Sequence, residues 1–139
     1  MKVYLDTNIL IDFLGNRGVF TLHALEIFDF ASKNRLHLFT STHVFANAHY
    51  VLKKYTDDRE LRKTLFELTD YVEIVDVTKS VLLNALLSDF RDFEDALQIY
   101  SSISIKDVDF IVTRNLKDFK GSAIPALAPD ELLLLLKNQ

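Results

Sequence analysis

Residues 2–10, Lys-Val-Tyr-Leu-Asp-Thr-Asn-Ile-Leu, decide the fold. The apolar run stops abruptly at Asp6-Thr7-Asn8. Ile9, Leu10, Phe13 and Leu14 then recur at helical spacing, so the segment reads as strand, tight turn and helix. A polar cluster where an apolar strand ends is the pattern of a chain that leaves a buried sheet and offers side chains at its rim.

The same alternation continues outward. Apolar periodicity predicts helices over about 19–33, 42–55, 56–69, 79–89 and 92–104, with a closing helix from Pro129 through Leu132 to Leu136. Strands are expected at 36–39, 71–77, 110–113 and 124–127, and Pro125 confines the last to a sheet edge or a strand start. Ser41-Thr42 offers an N-cap hydroxyl for the helix that follows. Strands alternating with helices imply an α/β fold: a three-layer α/β/α sandwich with a central parallel sheet of four to five strands. No internal repeat or low-complexity tract interrupts it.

With 139 residues, 49% of them apolar, the chain can bury one substantial core, and residues 1–139 are expected to form one domain. No apolar run approaches a membrane span, so no membrane association and a soluble, cytoplasmic protein are expected. The absence of cysteine excludes disulfides, thiolate metal sites and a cysteine nucleophile, leaving carboxylates, histidines and hydroxyls as candidates. A net charge of −4 argues against a generic basic nucleic-acid binder. It leaves a nuclease open, because carboxylates gathered around metal ions make a site locally acidic while the metals carry the positive charge.

Ligands of open parallel sheets bind outside the carboxyl ends of the strands. Asp6, Ser41 and Asn115 follow predicted strands and Thr113 ends one, so the four should converge on one edge. On the helix at 92–104, Asp92 and Asp95 are three residues apart and share a face. Two such carboxylates repel unless a cation or a proton intervenes. With Asp6 they present oxygen ligands suited to magnesium or manganese.

These segments carry a resemblance. Val-Tyr-Leu-Asp-Thr-Asn-Ile-Leu at the start, Ser41-Thr-His-Val-Phe-Ala-Asn-Ala-His-Tyr-Val-Leu52, Asp92-Phe-Glu-Asp-Ala-Leu-Gln98 and Ile111-Val-Thr-Arg-Asn-Leu-Lys-Asp-Phe119 resemble, in order, the four signature regions of PIN domains. They are most similar to the PIN ribonucleases that serve as toxins in bacterial toxin–antitoxin pairs. The resemblance implies one or two divalent metals, Mg2+ or Mn2+, and hydrolytic cleavage of RNA. It also implies a homodimer and a cognate antitoxin protein as partners. Carried over by position, Asp6 is the first metal carboxylate, Asp95 the third-region carboxylate and Asn115 the fourth-region residue, with Asp92 and Asp118 as neighbouring acids.

The sequence departs from the family pattern at Asn47, where the second region has a glutamate. An amide keeps an acceptor but loses the charge. Asp92 is the acid expected to compensate, giving a metal set of Asp6, Asp92 and Asp95. Asn47 and Asn115 would then be neutral ligands or water-positioners, and Thr7, Asn8, Ser41 and Thr113 would orient carboxylates or bind phosphate. Arg114, Lys117 and Lys120 are expected to meet RNA phosphates at the mouth.

Two other readings stay open. One is a PIN-fold RNA- or protein-binding module whose chemistry faded with Asn47. The other is phosphoryl transfer through Asp6, which lacks the second aspartate and late-strand lysine it would need. Each motif also has a plainer role: Asp-Thr-Asn as an N-cap turn, and Asp92 and Asp95 as first-turn acids favoured by the helix dipole.

Overall fold

A computed structural model describes residues 1–139. Strand β1 (Lys2–Leu5) runs into helix α1 (Thr7–Leu14), followed by α2 (Val19–Ser32), β2 (His37–Ser41), α3 (Thr42–Leu52), α4 (Asp58–Leu68) and β3 (Val72–Val75). Then come α5 (Lys79–Leu87), α6 (Phe93–Ile103), β4 (Phe110–Val112), a 3-10 turn (Leu116–Phe119), β5 (Ala126–Leu127) and α7 (Pro129–Lys137). All strand pairs are parallel, and the sheet order is β3-β2-β1-β4-β5.

Burial along the strands explains the layering. Val3, Tyr4 and Leu5 are each fully buried although successive side chains point to opposite faces, so helices cover both sides of the sheet. α1 packs on α2 and α3, α2 on α7, and α5 on α6. One large apolar cluster links the sheet to α1, α2, α3, α4 and α7, and a smaller one joins Val81, Ala85, Ala96 and Leu97 between α5 and α6. This is the expected three-layer arrangement.

Several boundaries differ from the sequence reading, each for a local reason. β2 continues through Ser41, so Thr40 and Ser41 lie inside the strand instead of after it. The expected strand at 71–77 stops at Val75, because Val75 pairs with Ser41, the last residue of β2. The expected strand at 124–127 shrinks to two residues. Pro125 has no N–H to donate, although its carbonyl still accepts from Ile111 at 2.9 Å. β5 is indeed an edge strand. Helix α6 begins at Phe93, with Asp92 outside it as the N-cap.

The chain lays β2 and β3 on one side of β1 and β4 and β5 on the other. The segments leaving β1 and β4 therefore diverge, and the crevice between them opens where the strand order reverses. Asp6 stands at the end of β1 and Thr113 at the end of β4. The backbone N–H of Asp6 donates to the Val112 carbonyl at 3.0 Å, which ties the two ends together.

The Leu-rich end tests the packing. Leu136 is 0% exposed and Leu134 is 63% exposed on the same helix. Leu136→Ala should cost about 2–5 kcal/mol in urea unfolding, the range for a truncated core leucine. Leu134→Ala should stay within about 0.5 kcal/mol of wild type. Equal losses would mean that α7 does not dock as described.

Candidate functional site

Asp6 is 3% exposed, and a buried carboxylate must be satisfied by donors. Its Oδ1 accepts from the Thr7 N–H at 2.6 Å, which makes Asp6 the N-cap of α1, and from Gln98 Nε2 of α6 at 2.7 Å. Its Oδ2 accepts from the Thr113 hydroxyl at 2.7 Å. Each carboxylate oxygen has two lone pairs, so Oδ1 is filled and Oδ2 keeps one open. Burial pushes the Asp6 carboxyl above its usual value, while the three donors and the Arg114 charge pull it down without cancelling the rise.

The first turn of α6 brings further acids to this edge. Asp92 Oδ1 accepts from the Asp95 N–H at 2.9 Å, the N-cap bond that starts the helix. Asp95 is half-buried, and its carboxyl is pushed up to about 7, first by desolvation and then by the charges of Asp92, Asp6, Asp118 and Glu94. Four acids from three segments thus act on one carboxyl. No three His, Asp or Glu side chains close around a common point at metal-ligating distance, so the acids share an edge without forming a cage.

Thr113 anchors the β4 side. Its hydroxyl also accepts from the Asn115 N–H at 3.0 Å, and the Asn115 side chain makes no capping bond to the 3-10 turn that it precedes. Arg114 turns away from solvent. Its Nε and Nη2 donate to Asp12 Oδ2 and Oδ1 at 2.7 and 3.1 Å, and the guanidinium stacks 4.1 Å from the Phe20 ring centroid. Asp12 is 1% exposed, with Arg17 at 3.9 Å as a second cation. Arg114, expected at the RNA phosphates, is therefore committed to an internal ion pair.

Other expected residues take varied places. Ser41 is buried beneath the edge, where its Oγ accepts from the Tyr4 hydroxyl at 3.0 Å and from Val44 N at 3.3 Å. Asn8 is half-buried in the first turn of α1. Asn47 on α3 donates through Nδ2 to Glu94 Oε2 at 3.4 Å. Asp118 lines a groove of about 440 Å³ together with Asp89, Arg91, Asp92, Lys117 and Lys120. None of these three cations stands within ion-pair distance of an acid.

The sequence reading missed Gln98, Asp12 and Glu94. Gln98 follows Asp95 by one helical turn and so shares its face, a spacing that was there to be read. Asp12 sits among Ile11, Phe13 and Leu14, and a charge inside an apolar helix stripe signals a buried partner.

A divalent cation fits the chemistry of this edge. The donors are all oxygen, Asp6 Oδ2 has a free lone pair, and Gln98 Oε1 and Thr7 Oγ1 are buried atoms with no hydrogen-bond partner. Asp6, Asp95 and the Asp92 oxygen not used in capping are the groups that would hold it.

Comparison with known proteins gives concordant findings. The family pattern described as PIN domain matches residues 2–117. A curated relative, Ribonuclease VapC1 of Aquifex aeolicus, is 26% identical over 135 residues, covering 94% of this chain and 92% of its own length. The fold resembles VapBC2 from Rickettsia felis bound to a DNA fragment from its promoter, with TM-score 0.67 and 19% identity over 92% of this chain and 98% of that one. It also resembles a toxin–antitoxin complex from Klebsiella pneumoniae, with TM-score 0.64 and 21% identity over 91% and 97%.

Two outcomes follow from this geometry. Arg114→Ala leaves Asp12 buried with only the more distant Arg17, and should cost on the order of 3 kcal/mol in urea unfolding. A loss below about 1 kcal/mol would mean that the pair is solvated. For Asp95, a folded-state pKa raised to about 7 makes a stability contribution that is complete below the ordinary carboxylate value. That contribution is lost as pH rises towards about 7. In chelator, wild type should therefore lose stability relative to Asp95→Asn between about pH 4 and about pH 7. Parallel pH curves for the two proteins would show an ordinary carboxyl.

Proposed function

This chain belongs to the PIN-domain family, and on that premise we propose that it is a metal-dependent endoribonuclease, the toxin of a toxin–antitoxin pair. The observation that carries the reading is the buried Asp6 carboxylate, gripped by Thr113 of the β4 end and Gln98 of α6 beside the charge-stressed Asp95. The curated ribonuclease relative, similar along nearly the whole chain, supports the same class of reaction.

A magnesium or manganese ion at this edge would act as a Lewis acid, lowering the pKa of bound water and offsetting charge on the phosphodiester. The chain's own residues do the rest. Asp6 is held in one orientation by three donors, so its open Oδ2 lone pair has a fixed direction. Asp95, whose carboxyl burial and neighbouring acids push up to about 7 in the metal-free chain, would be held ionised as a ligand once a cation offsets those charges, and the proton of the attacking water passes to solvent. The water oxygen bonds to phosphorus, one P–O bond to ribose breaks, and the departing oxygen takes up a proton. Asn115, whose side chain is exposed beside Thr113, is placed to position water or substrate. Arg114 contributes from behind, since its charge favours ionised Asp6 while Asp12 fixes its guanidinium.

Arg91, Lys117 and Lys120 border the acids without acidic ion-pair partners and suit the phosphates flanking a cut. An antitoxin protein and a second copy of the chain belong to the same reading. Apolar side chains stand exposed on α2 (Val19, Leu22, Leu25) and α5 (Leu83, Leu86, Leu87) for such contacts. A cytoplasmic location follows from that role, and no helix is long and apolar enough to cross a membrane.

The second reading, a binding module without turnover, draws on the amide at position 47 and on the absence of a closed acidic cage. One experiment separates the two. With Mn2+ and a structured RNA, wild type should cleave and Asp6→Asn should not, while Thr113→Val should lose about 10–100-fold by freeing the first carboxylate. RNA binding without cleavage by wild type at any metal concentration would favour the module.

A further inference from the structure

Tyr50, Lys53 and Lys54 form one exposed cluster at the carboxyl end of α3. Tyr50 is 57% exposed, and the Lys53 and Lys54 ammonium groups stand 5.0 and 5.1 Å from its ring centroid. The last turn of a helix favours cations, which accounts for the lysines. It does not account for a large aromatic ring held out in water between them, off the buried face of Val44, Ala48 and Leu52. Both lysines are free. Neither has an acid within ion-pair distance. The acids that follow them in sequence are engaged elsewhere: Asp57 caps α4, and Asp58 is taken by His49 and Arg62. On a chain of net charge −4, two unpaired ammonium groups on one ring make a local positive surface.

Helical phase gives the cluster a direction. The two flanks of α3 meet different neighbours, His49 bonding to Asp58 of α4 and Asn47 turning to Glu94 in the first turn of α6. Tyr50 follows Asn47 by three residues and shares its flank, about 4.5 Å further along the axis. It therefore stands on the side of α3 that leads to the acidic edge. The groove of Arg91, Lys117 and Lys120 is a separate surface, to which α3 contributes no residue.

An exposed ring with cations at its face suits a polymer whose bases can stack while its phosphates meet the ammonium groups. In water an exposed cation–π contact is worth about two- to fivefold in affinity, and a stacked base about 5- to 150-fold. A base therefore displaces the lysines from the ring towards the phosphates beside it. A duplex, whose bases already stack on each other, offers the cluster its phosphates alone.

We infer that Tyr50, with Lys53 and Lys54, is a stacking subsite for an unpaired RNA base flanking the cut, on the α3 side of the acidic edge. The inference rests on the RNA-cleaving reading above and gives it a substrate contact away from the acids.

The test is fluorescence anisotropy on the full chain in chelator, where nothing is cut. The probes are a labelled oligouridylate and an RNA duplex of equal length, with thermal unfolding as the check on folding. Tyr50→Leu should weaken the oligouridylate about tenfold and leave the duplex within about twofold, while Tyr50→Phe, which keeps the ring, should bind as wild type does. Tyr71→Leu, at a comparably exposed tyrosine before β3, should change neither. Lys53→Gln with Lys54→Gln should flatten the slope of log K against log salt for the single strand by about 1.4. With Mn2+, Tyr50→Leu should raise KM for the single strand while kcat stays within about twofold. Equal oligouridylate affinity in wild type and Tyr50→Leu overturns the inference and leaves the nuclease reading standing, and so does an unchanged salt slope in the lysine variant, where the ring is intact. Polyglutamate that binds wild type and is lost with Tyr50→Leu, while RNA is not, assigns the cluster to an acidic peptide and also overturns it. A wild-type chain that binds neither RNA, with or without Mn2+, overturns the RNA reading itself.

Discussion

A charged group withdrawn from water is tolerated only where the fold has placed donors to receive it, and Asp6 is received by donors from three elements. The α1 backbone, the α6 amide and the hydroxyl at the end of β4 converge on one carboxylate. Those bonds fasten helices to the carboxyl end of the central strand, so the site and the crossing of the chain are the same construction. Remove the carboxylate, and Gln98 and Thr113 become buried polar groups without an acceptor. The edge is therefore stiff where a reacting group needs a fixed direction.

The surrounding acids pull the other way. Asp92, Glu94, Asp95 and Asp118 lie near one another at the cost of mutual repulsion, relieved in the metal-free chain by a proton on Asp95. A fold selected only for stability would not gather them. Repulsion of this kind is relieved by whatever positive charge, proton or cation, comes to the edge. The Asp12–Arg114 pair has the opposite character: two opposite charges with matched bidentate geometry, one of them buried, beneath the same edge. Its work is to fix the turn after β4.

How much of this was legible in the sequence depended on whether the signal was local. Apolar runs ending before Asp6-Thr7-Asn8 and before Arg114-Asn115 placed two strand ends to within one residue, because strand pattern and turn chemistry are properties of a few neighbouring residues. Ser41 shows both sides: its hydroxyl caps the next helix as the sequence suggested, but its strand ran two residues further than the pattern, which also brought that hydroxyl to Tyr4. Arg114 reads as a free cation until α1 is folded against β4. Gln98 and Glu94 were invisible as partners because their bonds link residues far apart in sequence, and no spacing rule specifies which helix face will meet which strand.

The two margins of the sheet carry a consequence for how this protein meets others. On one side β5 is two residues long and begins after Pro125, leaving almost no ladder for an incoming segment. On the other, β3 presents the exposed Glu73, paired with His37 of the neighbouring strand. Neither rim invites β-augmentation by a foreign peptide or edge-to-edge fibre growth. Complexes of this chain are thereby steered to its helical flanks, where side-chain shape instead of backbone hydrogen bonding selects the companion.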